Sequence, residues 1–100
     1  MSNIPRLAKV CHDAGIPLVV DAAWAAHYGF HPELPEHPLA EGADIVVTSA
    51  HKTLPAWSQA SFVLVREGLV DLNRFNKAFD STQTTSMSGR ILASIDASRA

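Results

Sequence analysis

Ile16-Pro17-Leu18-Val19-Val20-Asp21-Ala22-Ala23-Trp24 and, further along, Asp44-Ile45-Val46-Val47-Thr48-Ser49-Ala50-His51-Lys52-Thr53 are the two stretches whose reading decides the fold. Each opens on a short β-branched apolar run with no polar alternation, the pattern of a strand covered on both faces. The first run, read over 16–21, ends on an acid. The second, read over 44–48, passes into a polar stretch without helical periodicity that carries a lysine. Ser61-Phe62-Val63-Leu64-Val65 repeats the apolar pattern and gives a third strand.

Working outward, Ile4, Leu7, Ala8, Val10 and Cys11 recur at helical spacing, with Pro5 near the first turn and Gly15 past the end. They predict a helix over 4–14. Residues 22–37, broken by Pro and Gly, read as loop. Pro38 to Gly42 predicts one helical turn, and 49–58 reads as irregular. Leu69, Leu72, Phe75 and Phe79 mark a helix over 69–79 with Asp71 in its first turn, and polar residues 80–86 end it. Ile91, Leu92 and Ile95 share a face of a final helix over 87–100.

The chain between the first two strands is long enough for a crossover, which makes them parallel. The connection to the third carries little helix signal and allows an antiparallel return. The result is an α/β layer of three strands flanked by helices. Strands covered on both faces need helices on two sides, and this chain offers few. It reads as a piece of a larger domain.

Composition sets the remaining bounds. One hundred residues make one small domain. A formal net charge of −2 supplies no basic field for nucleic acid or an anionic membrane. The lone Cys11 forbids an intrachain disulfide and fits a reducing, cytoplasmic setting. No apolar run approaches the length of a signal peptide or a membrane span.

Ligands of open α/β sheets sit beyond the carboxyl ends of parallel strands. There the pattern places Asp21 at one strand end and Lys52 just past the next. An acid and an amine so placed can share one cofactor. The acid pairs with a protonated ring nitrogen and keeps it protonated, and the amine forms a Schiff base. Pyridoxal phosphate chemistry needs that arrangement. The plainer alternatives are a structural hydrogen bond for Asp21 and a solvated surface position for Lys52.

Ala23 suits packing against a ring face. Trp24 offers an indole N–H for a phenolate oxygen, or serves as a core aromatic. Ser49 and His51 carry donors suited to a phosphate. Tyr28, Phe30 and Trp57 read as packing or pocket walls. His27, His31 and His37, interrupted by prolines, match no zinc spacing, and no metal is expected.

Asp21-Ala22-Ala23-Trp24-Ala25-Ala26-His27-Tyr28-Gly29-Phe30-His31-Pro32, followed by Gly42-Ala43-Asp44-Ile45-Val46-Val47-Thr48-Ser49-Ala50-His51-Lys52-Thr53-Leu54-Pro55-Ala56, resembles the ornithine/lysine/arginine decarboxylases. The likeness covers nearly the whole chain and is carried by the paired Asp-x-Ala-Trp and Ser-x-His-Lys-Thr motifs. It implies a partial large domain of the fold-type-I, pyridoxal-phosphate-dependent transferase kind. Both the upstream phosphate-loop part and a C-terminal domain then lie outside this sequence.

By that resemblance Asp21 binds the pyridine nitrogen and Ala23 lies against the ring. Trp24 approaches the phenolic oxygen, Ser49 and His51 meet the phosphate, and Lys52 carries the covalent link. Asp80-Ser81-Thr82-Gln83 stands where the family has a Ser-Thr-Ser-Pro run. The resemblance further implies decarboxylation of a basic amino acid to its amine in a homodimer or larger homo-oligomer, with the isolated chain incomplete for activity. Two rivals share the pattern: an aminotransferase or carbon–sulfur lyase on the same scaffold, and a non-catalytic truncated remnant.

Overall fold

A computed structural model describes residues 2–98. Helix α1 (Ile4–Asp13) leads to strand β1 (Val19–Asp21), then β2 (Ile45–Ser49), a short helix α2 (Ala50–Thr53), β3 (Ser61–Val65), α3 (Leu72–Thr82) and α4 (Gly89–Ser98). The sheet order is β1-β2-β3. β1 runs parallel to β2, with Val19, Val20 and Asp21 opposite Ile45, Val46 and Val47. β3 returns antiparallel, with Val46 opposite Leu64 and Val47 opposite Val63. Both directions agree with the reading from connection lengths.

Local chemistry sets the ends of the elements. Asn3 caps α1 by accepting the Arg6 N–H at 3.0 Å, and Pro5 occupies the first turn, where no N–H is missed. β1 is shorter than the expected 16–21. The Ile16 N–H is spent on the Cys11 carbonyl at the helix end, Pro17 has none, and the Leu18 N–H goes to the Asp44 side chain. Helix α3 starts three residues later than expected because Asp71 is its cap. The Asp71 carboxylate accepts from both Asn73 N–H and Arg74 N–H at 3.0 Å. Ser81 and Thr82, placed in the expected break, extend α3 instead and turn their hydroxyls back to the Ala78 carbonyl. The final helix spans 89–98, and the last two residues of its expected range lie outside the described residues.

The helical turn expected at 38–42 is a run of hydrogen-bonded turns. A short helix forms instead at Ala50–Thr53, inside the stretch expected to be irregular. Two bonds explain it: the Leu54 N–H closes on the Ala50 carbonyl at 2.8 Å, and the His51 N–H reaches the Ala60 carbonyl. Ala50 is fully buried beneath them.

The core lies on one side of the sheet. Ile4 of α1 packs with Ala22, Ala25, Ala43 and Val46, ringed by Leu18, Val20, Tyr28, Leu39 and Leu64. Among the described residues the buried apolar side chains other than Ile4, Pro38 and Val46 are alanines, so the layers approach closely. At Gly42 a Cβ would sit 3.0 Å from the Ala8 methyl, and its φ of +113° independently favours glycine.

Among the described residues the strands are covered on one face only, in line with the few helices that the sequence offers. Across the register Val19, Val47 and Val63 line the other face, 57%, 37% and 38% exposed. Helices α3 and α4 bury no residue, so the principal extents are 42 × 37 × 18 Å. The result is a thin slab, with the core on one face of the sheet and the other face open.

Candidate active site

Asp21 is the last residue of β1, and Lys52 lies in the turn of helix that follows β2. Both line one cavity of about 470 Å³, together with Val20, Ala22, Ala23, Trp24 and Tyr28. That volume falls within the ~300–1,000 Å³ typical of small-molecule sites. The parallel pairing of β1 with β2 brings them together, since both chains leave the sheet at the same edge.

Each group has a defined seat. The Asp21 Oδ1 accepts the Ala23 N–H at 3.0 Å, the bond of a turn in which an Asp side chain caps its own backbone. The Lys52 ammonium stands 5.1 Å from the centroid of the Trp24 ring, a cation–π distance. Trp24 is 69% exposed, so it walls the cavity mouth and is not a core aromatic. Ala23 contributes to the same wall, as does Tyr28, whose ring stands edge-on to His27. Phe30 and Trp57, read as walls or packing, are exposed and lie elsewhere.

Ser49 and His51 are not among the lining residues. Ser49 ends β2, and its hydroxyl makes no capping bond to α2. The His51 ring lies 2.8 Å through Nδ1 from the Ala60 carbonyl, which can only accept, so Nδ1 carries the proton. A neutral His51 therefore presents Nε2 as an acceptor, and only the doubly protonated ring would donate there. His31 and His37 each cap a turn, their Nδ1 atoms accepting from Glu33 N–H and Leu39 N–H at 3.2 Å.

Sequence reasoning missed several participants. Glu36 and Glu41 join Asp21 and Lys52 around the cavity, and nothing in their loop spacing distinguishes them from solvated acids. Thr48 is 3% exposed and donates its hydroxyl to the Ala22 carbonyl at 3.0 Å. Its signal was available: with period two it shares the core-facing side of Val46, where a hydroxyl needs a partner. Asp44 is the third. Its buried carboxylate holds the Leu18 N–H at 2.8 Å, the His12 ring at 2.7 Å and the Arg66 guanidinium at 3.3 Å. Burial pushes that carboxyl up, but the Leu18 N–H, then His12 and Arg66, outweigh it and hold it below the usual carboxylate range.

Fold and cavity together define an α/β layer whose cavity is lined by an acid and an amine from adjoining strand ends. The family model for the Orn/Lys/Arg decarboxylase major domain matches residues 1–100, and the chain belongs to that family. It is 39% identical to an arginine decarboxylase of Halalkalibacterium halodurans over 98% of this chain and 20% of that protein. The arginine decarboxylase of Bacillus subtilis is 37% identical over the same shares. Lysine decarboxylase LdcA of Pseudomonas aeruginosa is 37% identical over 98% of this chain and 14% of its own length. The chain thus spans about a fifth, or less, of the relatives it matches. Among the described residues no helix is long and apolar enough to cross a membrane.

Proposed function

We propose that this chain forms part of the pyridoxal-phosphate-binding large domain of a fold-type-I decarboxylase acting on arginine, lysine or ornithine. The carrying observation is the shared cavity of Asp21 and Lys52, with Ala23 and Trp24 beside them. The residues present fit the ring of that cofactor: one carboxylate, one amine, one small apolar wall and one aromatic edge. When bound, the cofactor supplies an electron sink for the pair left on the substrate α-carbon as carbon dioxide departs.

The remaining work belongs to the chain. Asp21 offers a carboxylate to the protonated ring nitrogen and keeps that proton in place. Lys52 would provide the attaching amine, and its place in the same cavity would let it accept or return a proton there. Ala23 keeps the ring plane clear of bulk. Trp24 shields the mouth and offers its indole N–H to the phenolic oxygen. Ser49 and His51 belong to the segment leading to Lys52 and would meet the phosphate. Ser49 would do so through its hydroxyl and His51 through Nε2 of the doubly protonated ring, since Nδ1–H is held by the Ala60 carbonyl. The uncovered sheet face supports a larger parent domain, a homodimeric or larger assembly follows from the family resemblance, and the cytoplasm suits the lone free thiol.

The test is capture of the cofactor. The chain titrated with pyridoxal phosphate should develop a visible absorbance band, and borohydride should fix the added mass on Lys52. Lys52→Ala should show neither. Label on any other lysine, or a band that survives Lys52→Ala, would falsify the assignment. A longer polypeptide carrying this segment should release carbon dioxide from one of the three basic amino acids.

A further inference from the structure

We infer that Thr48 is a positioning residue for the Asp21 carboxylate, acting through a single peptide plane; the inference rests on the reading of Asp21 and Lys52 as partners. The argument begins with a break in the ladder. In a regular parallel pair, with the Ala22 N–H on the Val47 carbonyl, the Ser49 N–H would complete the pattern by bonding the Ala22 carbonyl. Here the Ala22 N–H does reach the Val47 carbonyl at 2.8 Å, but the Ser49 N–H reaches the Ala23 carbonyl instead, at 3.3 Å. The chain has left the strand one residue early to make the Asp21 turn.

Ala22 is buried at 8% exposure, so its carbonyl cannot turn to water. The Ala25 N–H meets that carbonyl from within the turn at 2.8 Å, and the Thr48 hydroxyl takes the place vacated on the β2 side, donating at 3.0 Å. The Ala22 carbonyl and the Ala23 N–H belong to the same rigid, planar amide. One end of that amide is held by Thr48 Oγ1 and the other donates to Asp21 Oδ1 at 3.0 Å. Rotating the plane breaks these bonds together, so the hydroxyl ties to β2 the orientation in which the carboxylate is gripped.

Thr48 also lies on the strand that runs directly into the helix of Lys52. The same side chain therefore references the acid to the segment that carries the amine. A valine would fill the same space and keep the strand, but it would leave the carbonyl end of the amide to the Ala25 N–H alone, with no side-chain tie to β2.

The experiment compares the full chain with Thr48→Val and Thr48→Ser. Amide hydrogen exchange is read at Ala23, with α1 and β3 amides as internal references, alongside the affinity for pyridoxal phosphate. Losing one buried hydrogen bond should speed exchange at Ala23 in Thr48→Val by about tenfold and weaken cofactor binding by a similar factor. The reference amides should change far less, and Thr48→Ser should restore both readouts.

Unchanged Ala23 exchange in Thr48→Val, equal acceleration of every amide, or no rescue by serine would each overturn the inference. Should Thr48→Val not fold, Thr48→Ser alone decides, because loss of Ala23 protection with the hydroxyl retained contradicts it. A wild-type chain that takes up no pyridoxal phosphate counts against the proposed function, while the Ala23 exchange still judges Thr48.

Discussion

The Asp44 carboxylate and the Leu18 N–H, 26 positions apart in the chain, meet at 2.8 Å and tie the start of β1 to the start of β2. The same oxygen lies 2.7 Å from the His12 ring at the end of α1. The backbone of Asp44 also takes part, its N–H reaching the Leu18 carbonyl and its carbonyl accepting the Arg66 N–H. A one-residue slip of β1 on β2 would move every side chain of β1 to the other face and carry Asp21 out of register with the strand leading to Lys52. Asp44 guards that register from the end of the sheet opposite the cavity.

Removing the carboxylate should therefore be costly. Asp44→Ala leaves a buried N–H without an acceptor and a part-buried histidine without its partner, an expected loss of about 3 kcal/mol. Arg66, whose side chain is 42% exposed, adds little to that figure because water screens it. Asp44→Asn keeps an oxygen for the Leu18 N–H and should lose about half as much. Urea unfolding followed by circular dichroism measures both, and equal losses in the two variants would contradict the ranking.

Acid should act through the same group. The Asp44 carboxyl is held below its ordinary value near 3.8 by the Leu18 N–H, His12 and Arg66. Between the folded and unfolded values the unfolded chain binds the extra proton, so stability rises with pH there. This contribution is complete above pH 3.8 and disappears as pH falls through the lower, folded value. Thermal melts of wild type and Asp44→Asn should lie furthest apart near neutrality and converge under acid. A constant gap down to the lowest pH would show that the carboxylate charge contributes nothing.

How legible the protein was depends on the range of the interaction in question. β2 and β3 could be read almost to the residue, because a β-branched apolar run announces itself locally. The meeting of Asp21 and Lys52 at one cavity followed from two strand ends and the rule that adjoining parallel strands finish at a common edge. Helix α2 could not be read. Four residues have no periodicity, and beside the local Leu54–Ala50 bond the helix leans on the Ala60 carbonyl, across the connection to β3. Asp44 was read as the opening residue of a strand, since its partners His12 and Arg66 lie 32 and 22 positions away. The open face was legible from the mismatch between strands patterned for cover on both faces and a chain with few helices to supply it. Apolar patterning alone states what a strand is suited to meet; whether the cover is encoded in the same hundred residues is read from the helices.

That open face makes a prediction of its own. Val19, Val47 and Val63 form an apolar strip across all three strands, and both outer strands present edges. Such a surface favours association and binding of hydrophobic dyes. Val63→Lys places a charge on an edge strand where the side chain is already 38% exposed, so its effect on stability should stay within about 0.5 kcal/mol. Light scattering and anilinonaphthalene sulfonate fluorescence should both fall relative to wild type. Unchanged values would mean that this face contributes nothing to association.

The tightest joint in the fold is between α1 and the turn before β2, and Gly42 isolates two separate demands there. An added methyl meets the Ala8 Cβ at 3.0 Å, while the φ of +113° strains any L side chain. Gly42→Ala should therefore destabilise by about 2 kcal/mol, combining overpacking with backbone strain. Ala8→Gly removes the colliding methyl at the cost of helix propensity, roughly 1 kcal/mol. In the double variant the collision disappears but the strain remains. The double variant should then be more stable than the sum of the single losses predicts, yet less stable than Ala8→Gly alone. A double-mutant cycle by urea unfolding reads the coupling directly. Strict additivity would place the whole cost in the backbone, and a double variant matching Ala8→Gly would place it all in the contact with α1.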